Sequence, residues 1–133
     1  MDHPVKKLIQ NADIAITAED FDTLMTFYSD DAVLIIKPEL QAVGKQQIKK
    51  AFIAIAEYFN HSIEVSQGDM MVIESGDTAL VIMETMLKTQ DIHGIQNDIT
   101  RKATYVFRKY DDEKWLCVID NSYGTDLLTN THE

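Results

Sequence analysis

Little in this sequence staples the chain, interrupts it or draws it to an anion. Cysteine occurs once in 133 residues, as Cys117. No disulfide can form within the chain, and a Cys/His zinc site lacks its ligands. Cys117 lies in an apolar run, where a lone cysteine reads as a small buried hydrophobe. Two prolines and five glycines are too few to punctuate a linker, and no repeat is present. Residues 1–133 therefore read as one domain. Positive charge is also short, with 12 Lys and Arg against 22 Asp and Glu and a net charge of −10. The basic residues fall in separate pairs, such as Lys6-Lys7, Lys49-Lys50 and Arg101-Lys102. Binding a phosphate backbone takes a basic patch, so nucleic acid is excluded as a partner. No apolar run approaches the roughly 18 residues that span a bilayer, and no apolar stretch follows Lys6-Lys7 as in a secretory signal. A cytoplasmic protein without membrane contact is expected. No phosphate-cradling glycine loop or nucleophile elbow occurs, and the histidines have no metal-ligand spacing. Neither cofactor nor metal is expected.

What is present is a change of period. Val5, Leu8, Ile9, Ala12, Ala15 and Ile16 recur at three- and four-residue spacing behind Pro4, which suits a first helical turn. Thr17 to Asp20 breaks that pattern. A second helix is predicted with Phe21, Leu24, Met25, Phe27 and Tyr28 inward, ending at Ser29-Asp30-Asp31. Ala32 to Lys37 is a short β-branched strand stopped by Pro38. A third apolar stripe, from Ile48 to Phe59, lies in the helical stretch 45–59. Residues 62–74, 78–90, 99–109 and 114–122 then alternate as strands. Ser75-Gly76-Asp77, His93 to Asn97 and Tyr110 to Glu113 join them as hairpins, so these strands are antiparallel. Helices first and a meander afterwards give the α+β class.

Two segments carry a resemblance. Phe27-Tyr28-Ser29-Asp30-Asp31-Ala32-Val33 is followed after a gap by Gly44-Lys45-Gln46-Gln47-Ile48. Ala103 to Lys109 is followed by two acids, Lys114-Trp115 and a last strand. Together they resemble the SnoaL-like and ketosteroid-isomerase-like branch of the nuclear transport factor 2-like superfamily, over residues 5 to 126. The resemblance implies a cystatin-like cone, with N-terminal helices packed on a strongly curved, mostly antiparallel β-sheet around a pocket. It does not fix the function, because that fold serves many activities. The isomerase roles, carried over by position, fall at Ile36 or Lys37 for the base, near Ala12 for the helical tyrosine donor and at Tyr105 for the acidic donor. Only Tyr105 could act, so classical ketosteroid isomerase chemistry is not expected.

Alternation names other candidates. Tyr105 and Phe107 share a face, and Leu116, Val118, Asp120 and Ser122 share the matching face of the last strand. Trp115, Cys117, Ile119 and Asn121 take the opposite face. Asp120, flanked by apolar residues, is the expected acid/base, because a desolvated carboxyl titrates nearer neutrality. Its structural alternative is to accept bonds from Ser122, Tyr123 or the Gly124 turn. Tyr105 would polarise a ligand oxygen. Tyr28, Glu84, Met86, Phe107, Val118 and Ser122 are the expected ligand contacts, with Glu84 either a second pocket carboxylate or a cross-sheet ion-pair partner. The expected partners are a small, mostly apolar organic molecule and a second copy of the chain, docked through the outer sheet face. The function would be ligand binding, in its enzymatic form a cofactor-free SnoaL-like isomerase, cyclase or hydrolase. A non-catalytic homo-oligomerisation or interaction domain, using the Trp115 face, is the alternative.

Overall fold

Helix α1 (Pro4–Ala18) forms as the stripe requires. The His3 ring nitrogen accepts from the Val5 amide at its start, and Glu19 takes a left-handed conformation at its end, where its N–H closes on Ala15 and Ile16. Val5, Ile9, Ala12 and Ala15 are buried, and fully burying side chains such as Val5 and Ile9 contributes about 1.5–3 kcal/mol each. The structure is a computed structural model and describes residues 3–128.

The second helix is shorter than its apolar spacing suggests. Helix α2 (Phe21–Leu24) has Asp20 as its cap and passes into one 3₁₀ turn, Met25–Phe27. Tyr28 opens strand β1 (Tyr28–Lys37) rather than closing a helix, so Asp30 and Asp31 lie in a strand and not in a helix-ending turn. After Pro38 comes a strand the sequence pattern did not reveal, β2 (Leu40–Val43), paired antiparallel with β1. Its four residues are too few to show alternation. Helix α3 (Lys45–Tyr58) follows, burying Ile48 and Ala56.

The remaining strands are β3 (Glu64–Ser75), β4 (Thr78–Gln90), β5 (Gln96–Lys109) and β6 (Trp115–Asn121). All six form one sheet in the order β2-β1-β6-β5-β4-β3. Every neighbouring pair is antiparallel except β1 and β6, which run parallel. The sheet is curved, and its inner face holds the helices. Bulges in β3 between Gln67 and Met70, and between β5 and β6, bend the strands, as an unpaired extra residue does. A short 3₁₀ segment, Gly124–Leu128, packs back on β5. Gly124 has φ +55, and a Cβ there would strike the Lys102 carbonyl oxygen, so glycine is required at this closure. No helix among the described residues is long and apolar enough to cross a membrane.

The bulge in β6 decides which way its side chains face. Tyr105 pairs with Asp120 and Val106 with Ile119, but Phe107 pairs with Cys117. One extra residue, at Val118, is inserted. Trp115 and Cys117 therefore share the inner face with Asp120, against the strict alternation expected from sequence. Trp115 is buried, with the His3 ring edge-on to it at 5.2 Å between centroids. It offers no outer surface for a partner.

Candidate functional site

A cavity of about 130 Å³ opens between α1, α3 and the curved sheet. Its walls are mostly aliphatic and aromatic, among them Ile16, Leu34, Ile36, Phe52, Phe59 and Leu87. Asp13, Thr85, Thr89, Tyr105, Asp120 and Ser122 supply its polar lining, and no Lys, Arg or His among the described residues reaches it.

Asp120 enters from β6 and is 4% exposed. The Tyr28 hydroxyl donates to its Oδ2 at 2.6 Å. The neighbouring Tyr105, its partner across the ladder, also favours the charged form of the carboxyl. Burial outweighs these donors and lifts Asp120 to about 6. That is the expected result when a carboxylate leaves water without a countercharge. Both phenols are pushed well above their ordinary value, first by burial and then by the charge of Asp120. They remain donors at any physiological pH. Cys117, fully buried beside them, is raised by burial too and has no thiolate character. The turn role considered for Asp120 belongs to Asn121, whose Oδ1 accepts from the Tyr123 and Gly124 amides.

A second carboxyl faces the cavity from α1. Asp13 is 8% exposed and accepts at Oδ2 from Gln67 Nε2 at 2.8 Å. Gln67 in turn accepts from the Thr85 hydroxyl at 3.1 Å, across the β3–β4 ladder where the two residues are partners. Burial raises Asp13 to about 6, against the Gln67 bond, and the charge of Asp120 raises it further. Sequence reading passed over Asp13, yet its signal was there. Asp13 lies four residues beyond Ile9 and eight beyond Val5, on the buried stripe of α1. A carboxylate at such a position needs an explanation. It adjoins Ala12, where position-by-position transfer had found no polar group.

Thr89, also unanticipated, lines the cavity on β4 and is 2% exposed. Its hydroxyl is buried without a hydrogen-bond partner among the described residues. A polar atom in that state costs on the order of 1–3 kcal/mol unless something meets it.

Apart from Ser122, the other expected contacts lie elsewhere. Ser122 lines the cavity, and Tyr28 stands behind Asp120 in the core. Phe107 is fully buried against Phe27, at 5.4 Å between ring centroids, and belongs to the packed core. Val118 sits at the bulge and not at the cavity. Glu84 and Met86 are on the outer face of β4, because Thr85, Leu87 and Thr89 take the inner one. Glu84 covers Gly68, where β3 bulges, and accepts from the Asp69 amide at 3.3 Å. It is no second pocket acid. Among the described residues, no group of three or more His, Cys, Asp or Glu could hold a metal.

Similar architectures are known. Aln2 from a Streptomyces species superposes with a TM-score of 0.80 at 14% identity, covering 97% of each chain. A nuclear transport factor 2-like protein with a cystatin-like fold, from Novosphingobium aromaticivorans, gives a TM-score of 0.76 at 16% identity, over 93% of this chain and 86% of that one. A ketosteroid isomerase-like protein from Erwinia carotovora atroseptica gives 0.69 at 18% identity, over 86% and 88%. At these identities the likeness speaks for the fold alone. No curated protein matches the chain by sequence. The SnoaL-like domain model matches residues 5–118, and the chain belongs to the SnoaL-like family, with a cystatin-like fold of the nuclear transport factor 2-like kind.

Proposed function

We infer that the cavity binds a small, uncharged and mostly apolar organic molecule and moves a proton on it without a cofactor, with Asp120 as acid/base and Tyr105 polarising an oxygen. The observation that carries this reading is the Asp120 carboxyl, buried beside two phenols and raised to about 6. Near neutrality such a group exists in both protonation states, as a general acid or base requires. The aliphatic walls favour a small apolar ring system. Two acids without a cation disfavour carboxylates and phosphates. The partnerless Thr89 hydroxyl offers a further anchor for a ligand oxygen.

The test uses 2-indanone, an uncharged bicyclic ketone with acidic C–H bonds beside its carbonyl. Wild-type protein in D₂O is expected to speed deuterium exchange there, followed by proton NMR, and Asp120→Asn to lower that rate by about 100-fold or more. Exchange no faster than in protein-free buffer would sink the reading.

A second reading, self-association through the outer sheet face, is favoured by one apolar row. Ile73, Leu80, Val106, Ile119, Val33 and Val43 are successive ladder partners across all six strands, half-buried or exposed. The two readings are compatible, since the row lies on the opposite side of the sheet from the cavity.

A further inference from the structure

We propose that Asp13 is a second proton-transfer residue of this cavity, working from the helix side on the same ligand that Asp120 serves from the sheet side. The inference rests on the acid/base reading of Asp120 and extends it to a pair.

Three features of placement support it. Asp13 lines the cavity although it occupies the core stripe of α1, where an alanine or leucine would pack. Among the described residues its carboxyl has no cationic partner. Gln67 holds Oδ2, and no bond to Oδ1 is formed among the described residues. The side chain is thus oriented by a relay, Thr85 to Gln67 to Asp13, that fixes one oxygen and leaves the other to the cavity. Finally, both carboxyls line the one cavity, and Asp13 feels the charge of Asp120 there. Two such groups favour a state in which one holds a proton and the other does not, because ionising both in an apolar enclosure is unfavourable.

A pair with one proton can carry out a closed cycle on a ketone. The Asp13 carboxylate takes the proton from the carbon beside the carbonyl. The C–H electron pair becomes the C=C bond of an enol, and the carbonyl π pair moves to oxygen. That oxygen, polarised by Tyr105, takes the proton of the Asp120 acid, while the Tyr28 hydroxyl holds the carboxylate left behind. Return of a proton from Asp13 to the same or a conjugated carbon, and of the enol proton to Asp120, regenerates both groups. No oxidant, metal or cofactor enters the balance. The ligand class is an uncharged cyclic ketone or enone whose carbonyl lies toward β6 and whose labile C–H lies toward α1.

The 2-indanone exchange assay tests this on both sides of neutrality, with wild type, Asp13→Asn, Asp13→Glu, Gln67→Leu and Asp120→Asn, each checked for folding by circular dichroism. Asp13→Asn should lower exchange by about tenfold or more and remove the limb of the pH profile that belongs to the base. Asp13→Glu should restore part of the rate. Gln67→Leu leaves Asp13 ionisable but removes the bond that favours its charged form, so that limb should move to higher pH. A residue of purely structural importance would not shift a pH profile in this way. Exchange at the wild-type rate in Asp13→Asn, with Asp120→Asn inactive, would overturn the proposal and leave the Asp120 reading standing. If Asp13→Asn does not fold, an unshifted profile in Gln67→Leu overturns it equally. Wild-type protein without acceleration would remove both.

Discussion

Asp120 and Asp13 tie the chemistry of the cavity to the stability of the chain. Each is raised from 3.8 to about 6 by burial. A folded-state value above the unfolded one means that the native state binds more protons between those limits. The stability this contributes is fully present below about pH 3.8 and is lost as pH rises through about 6. A shift of this size is on the order of 3 kcal/mol per group. Urea unfolding of wild type and Asp120→Asn should therefore show a gap that moves in favour of the variant, by up to about 3 kcal/mol, between pH 4 and pH 7. The asparagine keeps an oxygen for Tyr28 and carries no charge to desolvate. A gap that is independent of pH would show that Asp120 titrates in the folded protein as it does in water. At this scale the sequence was only partly readable. Asp120 and Tyr105 stood out as polar groups in apolar strands, and they do line one cavity with Ser122. Asp13 was hidden in a stripe read for its apolar members, and Thr89 in a strand where a threonine is ordinary. What distinguishes both is lack of solvent, a property of neighbours far away in the chain.

Among the elements, β6 shows how one residue redirects a whole strand end. Residues 115 and 117 face the core, and so does 120, because Val118 is inserted without a partner. Deleting Val118 should leave Trp115, Cys117 and Asp120 all on the inner face, because Phe107–Cys117 and Val106–Ile119 then follow each other in an unbroken ladder. The deletion variant should fold with a stability within about 2 kcal/mol of wild type, read by chemical denaturation. A loss of about 4 kcal/mol or more would mean that the bend supplied by the bulge is itself needed to seat these side chains. The same bulge explains why Val118 was expected at the cavity and Trp115 at a partner surface, and why neither is there. Period-two patterning assumes an unbroken ladder. It predicted four long strands and their hairpins correctly, and it could not register an insertion that depends on how β5 lies alongside. The early end of α2 has a similar origin. Its apolar spacing is helical, but pairing with β6 draws Tyr28 into an extended conformation.

At the scale of the molecule, helices cover the inner face of the sheet, and among the described residues no α-helix covers the outer one. The row from Ile73 through Ile119 to Val43 would keep apolar side chains in water in an isolated chain. Self-association through this face predicts a dimer at micromolar concentration in analytical ultracentrifugation. Ile119→Lys, at a half-exposed position that packs nothing in the interior, should yield a folded monomer. A monomeric wild type would remove the assembly reading and leave the cavity untouched. Apart from β2 and the 3₁₀ segments, the sequence by itself determined the elements, their order and the family, because hydrophobic period, turn residues and helix ends are local properties. Only the tertiary structure decided that Asp13 and Asp120 share one enclosure, that Glu84 stands outside it and that Trp115 is covered. Those outcomes depend on sheet curvature and one unpaired residue, which set the solvent around each side chain and are written in no single segment.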